Sequence, residues 1–275
     1  MASITRSNAM FSSLGAVLSS PENRILALRK IFLPLVTLGI VYWAWEYAVA
    51  QRYFPSVILP PPADVVAMLE AQGVFMIGHA VQTFWECLLG FWLAAFVGIT
   101  IAMLITVSTI ARETLYPNLV IFQLIPTIAL APLFILWFGI GTEARLAYAM
   151  CLSLFSIVVA ASTGLMGTSH YYIRLCESLT ANRWQILFRV RFPFALPHIF
   201  TGLRIGLTLA IIGVVVGEFI TAQAGIGYLI SFASSGMETA MALGAILYLL
   251  IVGLVLFLIL LAVEIGVKYI FRTTS

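Results

Sequence analysis

The sequence predicts an all-α, polytopic membrane protein, a bundle of about six helices, and three observations predict it. The 275 residues are 62% hydrophobic and only 9% charged, with mean hydropathy +1.09, whereas soluble domains carry about one quarter charged residues. The apolar runs reach the roughly 20 residues that cross a bilayer as a helix. They also lack the alternation of a membrane strand, which favours helices over a barrel. The length suits one membrane domain without a separate soluble one.

Taken in order, residues 1–30 read as a polar N-terminal tail with Arg6, Arg24, Arg29 and Lys30. They lack an apolar core followed by a small-residue cleavage site, so a signal peptide is not expected. The membrane domain is expected over 31–270, with spans at 31–50, 81–107, 118–138, 146–166, 199–220 and 241–265, and a short tail over 271–275. Between the first two spans, Pro55 to Pro62 cannot continue a helix, because proline lacks a donor and restricts its predecessor. Residues 64–72 then read as a short amphipathic helix at the interface. Gly139-Ile-Gly141-Thr142-Glu143 reads as a compact turn. The Gly- and Ser-rich segment 222–238 reads as one that dips back toward the bundle, where irregular backbone is tolerated if covered.

Six crossings place both termini on one side. That side carries every lysine and arginine except Arg52 and Arg145. The bias implies cytoplasmic termini and a cytoplasmic loop at 170–198.

Within the spans the first reading is packing. Gly202 with Gly206, Gly213 with Gly217, and Gly90 with Ala94 and Gly98 form small-xxx-small faces that let helices approach closely. Cys87, Cys151 and Cys176 have no metal-ligand spacing and read as small packing residues. His79, His170 and His198 are scattered. Glu46, Glu86, Glu218 and Glu264 lie in or near spans, where acids are costly. They either reach interfacial water or serve transport, the latter reading resting on Glu86 and Glu218. Pro126 and Pro132 interrupt the third span beside Gln123 and Thr127, as a packed kink or as a bend toward a pathway. There is no phosphate-binding Gly-rich loop, nucleophile elbow or metal constellation. Uphill movement would draw its energy from another chain or from an ion gradient.

The most informative stretch is Arg174 to Pro193, a polar island with Arg174, Arg183, Arg189 and Arg191 between apolar runs. Residues 173–180 and 184–190 each read as a short helix, with Asn182 as the cap between them. Pro193 and Pro197 are expected to shape the loop and end it before the fifth span. Trp184 and Arg183 are side chains of the kind that anchor protein interfaces. A clamp on anionic headgroups is the alternative.

The island resembles the cytoplasmic signature of the inner-membrane permease subunits of binding-protein-dependent ABC importers. That signature runs Glu-Ala-Ala, three residues, Gly, nine residues, Ile-x-Leu-Pro. The same register here reads Arg174-Leu-Cys176, then Thr180, then Val190-Arg-Phe-Pro193. Ala181-Asn-Arg-Trp-Gln185, Ala195 to Gly206, Leu130 to Gly141 and Leu59-Pro-Pro-Pro62 are similar to the nitrate/taurine/sulfonate branch. The likeness covers roughly 59–265. It implies a type I ABC importer permease fold in a bacterial inner membrane, paired as a homodimer and surrounded by lipid. It implies an ATP-binding cassette ATPase coupled through Arg174, Glu177, Thr180, Ala181, Asn182, Arg183, Trp184 and Gln185. A periplasmic solute-binding protein would dock on the outer face. This chain would itself be non-catalytic and bind no cofactor, with ATP and Mg held by the ATPase, and nothing suggests a nucleic-acid partner. Arg174 stands where the family has an acid, and Thr180 where it has glycine.

On the helices the family uses for translocation, the polar candidates are Gln123, Pro126, Thr127, Thr208, Glu218 and Gln223. The branch handles small solutes, from nitrate and taurine to vitamin precursors, and few basic residues lie in the spans. An ion-coupled secondary transporter is the rival class; inverted repeats and intramembrane charges would mark it, and only the broken third span fits.

Overall fold

A computed structural model describes residues 21–221 and 223–273, all as helices and their connections, with no strand among them. Residues 1–20 of the expected N-terminal tail, Ala222, and residues 274–275 of the expected C-terminal tail lie outside the described residues. The chain forms two compact units that divide between Asp64 and Val65.

The first unit holds helix α1 (Pro21–Ala50), whose apolar part from Phe32 to Ala50 is long enough to cross a membrane. After it, Arg52 takes a positive φ of 55° and the proline-rich segment runs without a helix. The indole Nε1 of Trp45 donates to the Pro60 carbonyl at 3.0 Å, folding that segment back along the end of α1.

Helix α2 (Pro62–Val107) opens with proline in its first turn, where the missing donor costs nothing, and Asp64 follows it beside the free N–H groups. The expected short amphipathic helix over 64–72 is not separate: one helix runs from it through the span. Gly73 and Gly78 do not break it, since a glycine weakens a helix by only about 1 kcal/mol. Met76 and Ala80 are buried in the core, and Tyr248 donates to the Gly73 carbonyl at 3.1 Å.

The expected third span over 118–138 is two helices. Helix α3 (Thr109–Phe122) is capped by the Ser108 hydroxyl, and α4 (Ala131–Phe138) follows a 3-10 turn at Thr127–Leu130. The two halves are bent by 93°. The break falls at Gln123–Pro126, because Pro126 supplies no donor and holds its predecessor out of helical geometry. Pro132 does not break anything; it sits in the first turn of α4. Gly139, at φ 82°, ends α4 and turns the chain into α5 (Thr142–Met166).

The polar island supplies α6 (His170–Ser178) and α7 (Arg183–Ile186). Helix α8 (Phe192–Thr221), α9 (Ile226–Ser235) and α10 (Thr239–Thr273) complete the chain. The expectation that Pro193 and Pro197 end the island before the fifth span is corrected: both lie inside α8, and the helix is continuous from Arg183 to Thr221. A π turn at Leu187–Arg191 makes this tolerable. Phe192 N–H bonds to Leu187 O, five residues back, so the ladder shifts register immediately before the proline that cannot donate.

The core of the second unit is the packing of α5 against α8, with α2 alongside. Small residues face the neighbouring helix at every turn of contact. A Cβ at Gly202 would lie 2.6 Å from the Ala160 Cβ, one at Gly206 2.7 Å from Ile157, and one at Gly213 2.7 Å from the Ala149 Cα. From α2, Gly90 and Gly98 approach Ala149 and Ile157 in the same way. Ser153 donates across the seam to the Gly206 carbonyl at 2.9 Å. The small-xxx-small faces are therefore used within the chain. Helix α9, with Ile226, Gly227, Leu229 and Ala233 buried, packs against α8 and α10.

Gly213→Val should overpack this seam and destabilise the protein by about 1–3 kcal/mol, while Gly78→Ala, which has open space around it, should not. Thermal unfolding of the two variants in detergent checks this; equal melting temperatures would remove the seam from its central place.

Candidate functional site

The segment between α5 and α8 is built by two local devices. Ser169 caps α6 by accepting from Tyr171 N–H. At the other end of α6, Thr180 N–H bonds to Glu177 O at 3.0 Å and Ala181 N–H to Cys176 O at 3.0 Å. This is a Schellman motif, whose turning residue must adopt the left-handed conformation and is usually glycine. Here it is Thr180, with φ 62°. The family's signature glycine thus falls where the backbone needs positive φ, and threonine holds that conformation at a cost of about 1–2 kcal/mol. Its hydroxyl bonds to the Leu179 carbonyl at 2.7 Å.

Two residues on, Asn182 and Gln185 form a reciprocal capping box. Asn182 Oδ1 accepts from Gln185 N–H at 2.8 Å, and Gln185 Oε1 accepts from Asn182 N–H at 2.9 Å. The chain therefore leaves α6, reverses at Thr180 and enters α7 within four residues. Ile173, Ile186 and Leu187 face inward, whereas Arg174, Glu177, Arg183, Trp184 and Gln185 are exposed. Ala181 is half-buried. Trp184 is 50% exposed and stacks on Phe188 at 6.1 Å. Of the expected coupling residues, Arg174 and Glu177 lie on α6 and Thr180 to Gln185 on the turn into α7, all exposed except half-buried Ala181. The expected loop-shaping Pro193 and Pro197 lie in α8.

The expected pathway residues divide. Gln123 and Pro126 lie exposed at the break between α3 and α4, and Thr127 is fixed there because Tyr148 donates to its carbonyl at 3.1 Å. Thr208 is on the exposed stripe of α8 with Thr201, Arg204 and Ile205. Gln223 is exposed in the bend before α9. Glu218 is placed differently: it is 1% exposed. Thr83 Oγ1 donates to its Oε1 at 2.7 Å and Gly227 N–H to its Oε2 at 2.6 Å. Thr83 also accepts from Ile226 N–H at 2.8 Å, and His79 Nδ1 accepts from Gly225 N–H at 2.9 Å. Together these groups satisfy the N–H groups of Gly225, Ile226 and Gly227 at the start of α9. Gly225, at φ 110°, is required twice over, since any Cβ there would also strike the Glu218 carboxylate.

Beside this cluster, Arg145 makes a bidentate pair with Glu86, Nε to Oε2 at 2.7 Å and a terminal nitrogen to Oε1 at 2.6 Å. Thr142 and Gln82 complete its hydrogen bonding. Both charges are buried. At the other end of the bundle, Glu264 accepts from Arg204 and Lys268, each at 2.6 Å, tying α8 to α10. The partners Arg145 of Glu86, Thr83 of Glu218 and Arg204 of Glu264 are far away in sequence, and sequence reading missed them. The i, i+4 spacings of Gln82 with Glu86 and of Glu264 with Lys268 were the available signals.

A bundle of helices long and apolar enough to cross a membrane, with a short polar turn projecting at one end, describes a multi-pass membrane protein. Residues 94–274 match the family described as "Binding-protein-dependent transport system inner membrane component", and the chain belongs to that family. It is 32% identical, over 83% of its length and 93% of the relative, to a probable ABC transporter permease protein of Haemophilus influenzae. It is 34% identical to the formylaminopyrimidine transport permease protein ThiX of Halalkalibacterium halodurans, over 67% and 74% of the two chains. It is 28% identical to the taurine transport system permease protein TauC of Escherichia coli, over 83% and 86%. The chain is an ABC transporter permease, an all-α transmembrane transport subunit.

Two outcomes follow from this geometry. Thr180→Gly should raise stability by about 1 kcal/mol, the left-handed strain less the entropy of glycine, read as a higher melting temperature. Glu86→Gln should cost about 3–5 kcal/mol by leaving the Arg145 charge buried alone, and adding Arg145→Met should recover most of it. A double variant no more stable than Glu86→Gln would show that the pair is not the source.

Proposed function

We propose that this chain is the membrane-spanning subunit of an ATP-driven importer, through which a small solute passes after delivery by a periplasmic binding protein. The single observation that carries the reading is the turn at Thr180–Gln185. Its Schellman motif and capping box present Arg174, Glu177, Arg183 and Trp184 on a stiff projection at the ends of α5 and α8, a form suited to docking on another protein. The partner is a separate ATP-binding cassette ATPase that holds ATP and Mg. Closing of two such ATPases draws the projections together, and the rigid α5–α8 seam transmits the movement to the opposite end of the bundle. The passage lies between two copies of the chain, lined from the break at Gln123, Pro126 and Thr127 and from the Thr208 stripe of α8, with Gln223 near the opposite opening. Glu218 serves this passage indirectly, by holding α9 in place.

Both termini and the 170–198 segment lie in the cytoplasm, in keeping with the distribution of basic residues. The named substrates of the relatives differ, a formylaminopyrimidine in one and taurine in another, so the reading extends to a small solute whose identity the binding protein selects.

Co-expression with the ATPase and binding protein of the same transport system, followed by uptake and ATPase assays in proteoliposomes, tests this. Trp184→Ala combined with Arg183→Glu is expected to lower substrate-stimulated ATP hydrolysis at least about tenfold, as for loss of an aromatic and an arginine anchor, without lowering the melting temperature of the permease. Undiminished stimulation, or uptake that needs no ATPase and collapses with a protonophore, would overturn the reading.

A further inference from the structure

Between the end of α2, the start of α3 and the α6–α7 turn lies a cavity of about 230 Å³. Its charged lining is Arg112, Arg183, Arg191 and Glu177; Thr106 and Thr109 contribute hydroxyls, and Ile173, Ile186 and Leu187 close the apolar side. Three arginines thus line a small space with one glutamate. The ion pairs among the described residues are Arg145–Glu86, Arg204–Glu264 and Lys268–Glu264, and none of the three arginines belongs to them. Arg112 reaches only the Thr106 carbonyl, at 3.4 Å. Even with Glu177 fully matched to one guanidinium, two positive charges remain unanswered. Arg191 is half-buried and lines the same cavity as Arg112 and Glu177, so the arrangement carries more positive than negative charge.

We propose that this cavity is a binding site for a phosphate oxyanion, held by Arg112, Arg183 and Arg191. Guanidinium forks match the tetrahedral oxygens of a phosphate with paired, charge-assisted hydrogen bonds. The position favours the phosphate of an acidic phospholipid headgroup over a free one. The apolar run of α2 continues to its last residue, Val107, which itself lines the cavity, so the cavity adjoins the end of an apolar segment. Ile110, one residue from the lining Thr109, is 77% exposed and offers a surface for an acyl chain. Basic pockets between helices in such a position are suited to anionic headgroups. Glu177 opposes the ligand, limiting its charge and its affinity. The inference does not depend on the proposed coupling to an ATPase, because its readout needs the permease alone.

The test uses the full-length chain, purified and delipidated in a neutral detergent. Its melting temperature is followed against a short-chain phosphatidylglycerol, the matching phosphatidylcholine and inorganic phosphate. Phosphatidylglycerol is expected to stabilise it saturably and phosphatidylcholine to do so at least about tenfold more weakly, the difference of one charge-assisted interaction. Stabilisation by inorganic phosphate at similar concentration would place the source in solution instead, with the same oxyanion chemistry. Arg112→Gln with Arg191→Gln should weaken the response at least about tenfold, whereas Glu177→Gln should strengthen it by removing the opposing charge. The gain expected of Glu177→Gln keeps the test decisive if the arginine variant fails to fold. No preference for either anion over phosphatidylcholine, or an unchanged response in Glu177→Gln, would overturn the proposal.

Discussion

Everything in the second unit of this protein depends on how closely α5 and α8 approach each other. In lipid there is little hydrophobic gain in bringing two apolar helices together, so association rests on dispersion contacts and the few hydrogen bonds available. Glycine at 202, 206 and 213 removes the side chains that would hold the backbones apart, and a Cβ at any of them would strike Ala160, Ile157 or Ala149. Ser153 then bonds directly to the backbone of the opposite helix. A seam of this kind has little slack, and it carries rigidly whatever is attached to its two ends.

At one end it carries a polar cluster in an otherwise apolar setting. Gly217 brings the Arg145 side chain against α8, where the bidentate pair with Glu86 crosses to α2. One turn away Glu218, Thr83 and His79 receive the first N–H groups of α9. These polar groups are tolerated because each is answered: the Glu86 carboxylate by a fork of two N–H groups, and Glu218 by a hydroxyl and a backbone donor. Their effect is to fix a short helix that has too little apolar length to hold a position across a membrane alone.

At the other end the seam carries the α6–α7 turn. The π turn at Leu187–Arg191 lets a single helix run from the polar projection into α8 despite Pro193 and Pro197. A movement applied at Trp184 therefore acts on a continuous rod and not on a jointed one. Thr180 is the one residue in the turn at odds with its conformation, and its place in a Schellman motif explains why the related signature has glycine there.

The sequence by itself determined the class of the protein, the existence and order of the apolar helices, the asymmetry of basic charge and the place of the polar turn. These are local properties, carried by hydropathy, by Asn182 and Gln185 at capping-box spacing, and by a signature register that survives replacement of its residues. It also located Pro126 as a break, but the 93° bend depends on what α4 packs against, chiefly Tyr148 reaching Thr127. Only the tertiary structure decided that 64–72 continues into the span, that two prolines lie inside α8, and that Glu86, Glu218 and Glu264 have partners. The physical reason is the same each time. A proline or a glycine states a local cost, and a buried acid states a larger one, but whether that cost is met depends on donors such as Arg145, Thr83 and Arg204, which lie 59, 135 and 60 residues away.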